Sequence, residues 1–226
     1  MFISSWNQFK QGFYEVRYLI GVAERAPTIV VTRIGLSEQQ ILLRAAVLQL
    51  SSHVECFFNS VIEEVADDLA GDWNSLSVGM QRYVSLQSRK YLLDELEKDE
   101  YIHCASDKDI KSLCSIIKEA YDWLERPNLL SKSPYRGKLE YFYRGSAPKA
   151  IENVLRVLHK DRKSFFGWIE SKGFDRSRFW IVLEQLVTIR NEITHRGSMV
   201  APSVSDAKLY LATATFIVRQ VRLFLE

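Results

Sequence analysis

Glycine and proline are scarce in this chain, ten and five in 226 residues. That scarcity favours helices and leaves no Gly/Ser/Pro-rich linker to divide the chain into independent domains. Alternating β-branched runs are also few, which argues against a sheet and for helices. There are only three cysteines, Cys56, Cys104 and Cys114. An odd number at scattered positions matches neither a disulfide framework nor a zinc-ligand spacing. Cys56, followed by Phe57 and Phe58, reads as a buried thiol, and the compartment as a reducing cytoplasm. No run approaches the roughly 20 uninterrupted apolar residues that span a bilayer. Met1 to Lys10 shows no basic stretch leading into an apolar one, so neither a signal peptide nor a membrane partner is expected.

Charge of one sign is lacking too: the formal net charge is +2, which neither requires nor excludes a nucleic-acid partner. Its distribution is uneven. Seven acids between Asp94 and Asp109 face only Lys98 and Lys108. From Lys132 to Lys149, five bases (Lys132, Arg136, Lys138, Arg144, Lys149) stand against Glu140. Either run is compatible with a plain solvated face.

What the chain does have is helical periodicity. Trp6, Phe9, Phe13, Val16, Ile20 and Ala23 recur at steps of three and four, predicting a first helix capped at Ser4 or Ser5 and ending before Pro27. Ser37 with Gln40 forms a capping box that opens a second, long helix carrying Val47, Leu50, Val54, Phe57, Phe58, Val61, Val65 and Leu69 up to Gly71. Further helices are expected near 78–99 and 107–125, with residues 127–147 mostly loop. Ser146 and Pro148 start another helix that runs to about Leu158, and 161–171 reads as a short aromatic one. A helix from about Asp175–Ser177 to Arg196 stops at Gly197. Ser203 and Asp206 then cap a last helix with Leu209, Phe216, Ile217 and Phe224 on its apolar side. The expected class is all-α, an antiparallel up-and-down bundle with extra helices. The expected organisation is residues 1–35 as an accessory helix and 36–226 as the main domain.

The penultimate helix is unusual. On a wheel of about 100° per residue, Phe179, Val182, Leu183, Leu186, Ile189 and Ile193 share one face, and Arg190 falls among them. A charge there needs a partner or a polar opening. Beside it a polar stripe runs through Glu184, Thr188, Asn191 and His195. A lone arginine on an apolar stripe commonly snorkels, and a histidine at a helix end is commonly just a cation on the dipole. Arg190, Asn191 and His195 together, followed by Gly197, form a more specific pattern.

Residues 186–197, Leu-Val-Thr-Ile-Arg-Asn-Glu-Ile-Thr-His-Arg-Gly, resemble the signature of the HEPN superfamily, an arginine followed after four to six residues by histidine with a polar residue next to the arginine. The layout over about 37–226 is similar to the RiboL-PSP-HEPN type. The resemblance implies a metal-independent endoribonuclease with its site at a homodimer interface and RNA as substrate, of a kind found as toxins or phage-defence effectors with a possible antitoxin partner. It implies catalytic roles for Arg190, Asn191 and His195. In toxins modified by nucleotidyltransferase antitoxins, a tyrosine stands two residues after the motif histidine. This chain has Gly197 there, so that mode of regulation is not implied.

The chemistry fits those residue types. Attack by a 2′-hydroxyl on the adjacent phosphate needs a base, an acid and positive charge on the phosphorane. His195 can carry a proton, Arg190 can brace phosphate oxygens in a fork, and Asn191 can orient either. One histidine per chain supplies one proton-transfer group, and a two-fold dimer would supply two. Glu55, Glu184 and Arg196 are candidate supports. Arg136, Lys138, Tyr143, Arg144, Arg176 and Arg178 are candidate RNA contacts, the aromatics of the 132–149 stretch being able to stack on unpaired bases. His53, His103 and His159 have no Cys or carboxylate at ligand spacing, so no metal and no cofactor is expected. The alternative reading is a non-catalytic module of the same fold that binds nucleotide or RNA and mediates dimerisation.

Overall fold

The computed structural model describes residues 3–30, 35–69, 147–159, 163–195 and 200–225, with positions 114 and 118 in addition. Among them the chain is all-helical: α1 (Ile3–Ala23), α2 (Glu38–Leu69), α3 (Pro148–Leu158), α4 (Phe165–Ser171), α5 (Arg176–His195) and α6 (Val204–Leu225). The helix expected at 78–99 and the loop at 127–146 lie outside the described residues. Of the one expected at 107–125, Cys114 and Lys118 are described, both helical and exposed.

The long helix α2 begins where its capping box predicts. The Ser37 N–H donates to Gln40 Oε1 at 2.9 Å and the Gln40 N–H to Ser37 Oγ at 3.2 Å, so two orphan donors are satisfied reciprocally. Leu43, Ala46, Val47, Leu50, Val54, Phe57, Phe58 and Val61 then bury one face. Cys56 does not join them. It is exposed, because two residues on from Val54 it stands about 200° around the helix, opposite the core. The stretch Glu38–Ile62 is long and apolar enough to cross a bilayer, and here its apolar face is packed inside the protein.

Antiparallel to α2 lies α1. The contact pairs run in opposite directions: the Ser5 N–H donates to Glu64 Oε1 at 2.6 Å, Ser60 Oγ to Gln8 Oε1 at 3.2 Å, Phe9 meets Phe57 edge-on at 5.7 Å, and Gln39 Nε2 donates to the Ala23 carbonyl at 3.0 Å. Helix α1 starts at Ile3, before the serines expected to cap it, and Glu64 of α2 accepts the Ser5 N–H. The link between the two helices is closed by an isolated antiparallel bridge, Val30 with Ser37, where Gly35 adopts φ 71°.

The C-terminal helices complete the core. Ser203 and Asp206 cap α6 reciprocally at 3.1 Å in both directions. Lys208 reaches Glu24 of α1 at 2.7 Å, and Phe179 of α5 stacks on Phe216 of α6 at 4.5 Å. On α6, Tyr210 is buried and Leu209, expected in the core, is exposed. The core face of α6 runs through Ala207, Tyr210, Leu211, Ala214, Ile217, Val218 and Val221, and Leu209 falls outside that stripe.

Two short helices brace these. Helix α3 begins at Pro148 after Ala147, which makes no side-chain cap bond; Ser146, expected there, lies outside the described residues. Helix α4 starts at Phe165, later than expected, because the Ser164 hydroxyl caps it by accepting the Gly167 N–H at 3.0 Å. It ends in a Schellman motif: Gly173 N–H to the Glu170 carbonyl, Phe174 N–H to the Ile169 carbonyl, and Gly173 at φ 83°. The buried Glu152 carboxylate of α3 takes the Phe166 N–H at 3.1 Å and Arg156 at 3.0 Å, fastening α3 to α4.

Two glycines of α1 should respond oppositely to alanine. A Cβ on Gly12 would run into the His53 ring, whereas one on Gly21 meets nothing within 4 Å. Gly12→Ala should therefore cost about 1–3 kcal/mol through overpacking, and Gly21→Ala should gain roughly 0.5–1 kcal/mol from helix propensity. Urea unfolding of both variants checks the signs, and Gly12→Ala/His53→Ala should recover most of the loss.

Candidate functional site

Helix α5 owes its position to its ends and its apolar face. Asp175 caps it, its carboxylate accepting the Ser177 N–H at 2.9 Å and the Arg178 N–H at 3.3 Å. Val182, Leu183, Leu186 and Ile193 are buried, with Phe179 and Ile189 partly so. That face presses α5 against both α2 and α6, and it fixes where each polar residue of the motif helix points.

Arg190 falls on the wheel between the buried Leu186 and Leu183, and its side chain keeps 33% of its surface exposed on the side that faces α2. There its Nη2 stands 3.8 Å from Glu55 Oε1 of α2, and its Nη1 donates to Asn191 Oδ1 at 3.1 Å. A half-exposed pair at that distance is a weak tether, of the order of 0–1 kcal/mol before solvent screening reduces it. Its effect is orientation: Glu55 and Asn191 aim the guanidinium along the α2 side of α5.

Asn191 and His195 are exposed, and His195 is the last residue of α5. Four residues separate them, about 40° on the helix, while Arg190 and His195 differ by about 140°. On one chain the arginine and histidine therefore address different directions. Thr194 Oγ1 donates to the Arg190 carbonyl at 2.6 Å, tying the last turn of the helix.

The other candidate residues are not gathered at this point. Glu184 accepts the Trp180 Nε1–H at 2.7 Å, one turn earlier on its own helix. Arg176 lies over the Trp180 ring, 5.7 Å from its centroid. Arg176 is fourteen residues from Arg190, or about 21 Å along the axis, so the bases that open α5 do not share a site with those that close it on the same chain. Arg136, Lys138, Tyr143, Arg144, Arg196 and Gly197 lie outside the described residues, as does His103. His53 faces Glu15 at 3.4 Å, and His159 packs its ring 4.5 Å from that of Phe224. Among the described residues no cluster of His, Cys, Asp or Glu is arranged to hold a metal ion.

One feature of this region escapes the sequence. On the side of α5 away from Arg190, an open cleft of about 570 Å³ is lined by Glu184, Thr188, Glu192 and Ile181 of α5 with Asp206 and Tyr210 of α6. Glu184, Thr188 and Glu192 are four residues apart, a spacing visible in the sequence. That α6 would bring Asp206 opposite them is not. Three acids and no base line this cleft, so its field repels phosphate. Arg190 lies on the opposite flank, beside Glu55 of α2.

Comparison with protein-family models, with curated proteins and with solved structures found no match.

Burial, and then the nearby Asp206 carboxylate, push the Tyr210 phenol above its ordinary value of 10.0. Below pH 10 the phenol is neutral in both folded and unfolded chains and contributes no slope. As pH rises past 10 the unfolded chain loses its proton first, so stability falls until the raised folded value is passed. Denaturant midpoints measured across pH 9 to about 11.5 should show that decline, and Tyr210→Phe should flatten part of it.

Proposed function

We propose that this chain is a metal-independent endoribonuclease of the HEPN type, working in the cytoplasm as a homodimer in a toxin or phage-defence setting. The observation that carries the reading is the arrangement at the end of α5. Arg190 is aimed by Glu55 and Asn191 at 3.8 and 3.1 Å, and His195 stands exposed at the terminus of the same helix.

In this reading the 2′-hydroxyl of RNA loses its proton to a base and attacks the adjacent phosphorus. The bond to the 5′-oxygen breaks, and that oxygen takes a proton from an acid, leaving a 2′,3′-cyclic phosphate and a free 5′-hydroxyl. Arg190 neutralises the phosphorane oxygens. His195 serves as one proton carrier and the His195 of a second copy as the other. The divergence of Arg190 and His195 around one helix supports completion by a second chain, since one chain alone turns the cation and the proton carrier to different sides.

A second reading draws on the same ion pair. With Glu55 already beside it, Arg190 serves as a binding cation in a non-catalytic module that holds nucleotide or RNA.

Purified protein should cleave RNA in EDTA. His195→Ala and Arg190→Ala should each lower the rate by about 10²–10⁴-fold, the scale of a positioned proton carrier or oxyanion stabiliser. Expression should arrest growth, and His195→Ala should relieve it. Undiminished cleavage by both variants sinks the proposal; tight nucleotide binding without turnover of any RNA favours the second reading.

A further inference from the structure

A second cavity lies well away from the motif, on the flank where α1 meets α6. It encloses about 560 Å³, within the range of roughly 300–1,000 Å³ typical of small-molecule sites. Trp6, Phe9, Phe13, Tyr14 and Leu223 supply an apolar floor and walls, and Lys10, Arg219 and Arg222 stand at its rim. No acidic residue is among its described lining residues. Leu223 is 53% exposed and Tyr14 60%, so solvent now covers apolar surface that a ligand would shield.

The lining narrows the ligand class. Lys10 and Arg219 bring positive charge to a lining in which no described residue is acidic, and that favours an anion. The floor offers little to a polar body. The Thr215 hydroxyl is engaged with the Leu211 carbonyl at 2.7 Å. The Phe9 ring is enclosed by Trp6, stacked at 6.5 Å, and by the edge-on Phe57 at 5.7 Å. A nucleobase would bring several donors and acceptors on its edges, and beyond the Trp6 indole N–H and the Tyr14 hydroxyl this lining offers them few partners, a cost that a hydrocarbon body does not incur.

We propose that the α1–α6 groove binds a soluble amphiphilic anion, a hydrocarbon chain of about medium length ending in a carboxylate or phosphate, with the chain on Trp6, Phe13 and Leu223 and the head at Lys10 and Arg219. This is independent of the ribonuclease reading and holds whether or not RNA is cleaved.

The test is calorimetric titration of the full chain with octanoate, decanoate and dodecanoate below their micellar concentrations. Decanol serves as the uncharged analogue and inorganic phosphate as the anion without a body. Oligouridylate and anionic phospholipid vesicles test the other sources of the same charge. The expected result is one saturable site whose affinity rises about three- to fourfold per added methylene until the groove is filled. Decanol and inorganic phosphate should bind at least roughly tenfold more weakly than decanoate, and Lys10→Ala/Arg219→Ala should weaken decanoate by a similar factor. Both substituted residues are exposed, and an unchanged thermal midpoint verifies the fold. Leu223→Glu, which sets a like charge into the groove from an exposed position, should give the same loss. Equal binding of decanol and decanoate, no dependence on chain length, or indifference to both variants overturns the proposal. So does a groove that takes vesicles or oligouridylate through Lys10 and Arg219 while ignoring decanoate.

Discussion

The fold depends on hiding one apolar face of α2. From Leu43 to Ile62 that face is nearly continuous, and no single neighbouring helix is wide enough to cover it. Helix α1 lies along it in the opposite direction, and α5 and α6 close it from the other sides. Burial of a large apolar side chain is worth about 1.5–3 kcal/mol, so the aromatic and aliphatic residues along α2 outweigh the ion pairs among the described residues. Pairs such as Lys208 with Glu24 and Arg190 with Glu55 set angles and register more than stability.

Much of this was legible because local rules and tertiary packing agree. The capping boxes at Ser37 and Ser203 occur as their spacing predicts. The steps of three and four give Phe9, Val16, Ile20 and Ala23 of α1 and Val47, Leu50, Val54, Phe57, Phe58 and Val61 of α2 as buried, with Trp6 and Phe13 partly so. The burial of Val65 and Leu69 lies outside what is described. Reading failed where a partner distant in the sequence decides the outcome. The first turn of α1 uses Glu64 of α2 where a local serine was expected, and α4 waits for Ser164. Cys56 looked buried because its neighbours Phe57 and Phe58 are, yet adjacency along a helix says nothing about facing. Leu209, which reads as part of the apolar face, is exposed, while Tyr210, about 100° further round, is buried.

The candidate site was legible as a cluster of types and only partly as an arrangement. Arg190 falls among apolar residues, as its position on the wheel indicates, but the partner beside it, Glu55 of α2, depends on how the helices pack. Glu184 looked continuous with Asn191 and His195, but Trp180 holds it. The acidic lining that α5 and α6 share was not readable at all, since it depends on how α6 lies across α5. That acidic lining disfavours phosphate on the α6-facing side of α5, whereas Arg190 stands on the flank shared with α2.

The antiparallel pairing of α1 with α2 also bears on the order in which the molecule assembles. Its contacts are closed by the short connection through Gly35, whereas Lys208 meets Glu24 across a separation of 184 residues. Loop-closure entropy rises with that separation, and topology governs folding speed through it. The helical hairpin therefore closes its contacts at a lower entropic cost than α6 does. Arg190 and Glu55 stand about 135 residues apart, so the pair that orients the guanidinium carries the higher closure cost.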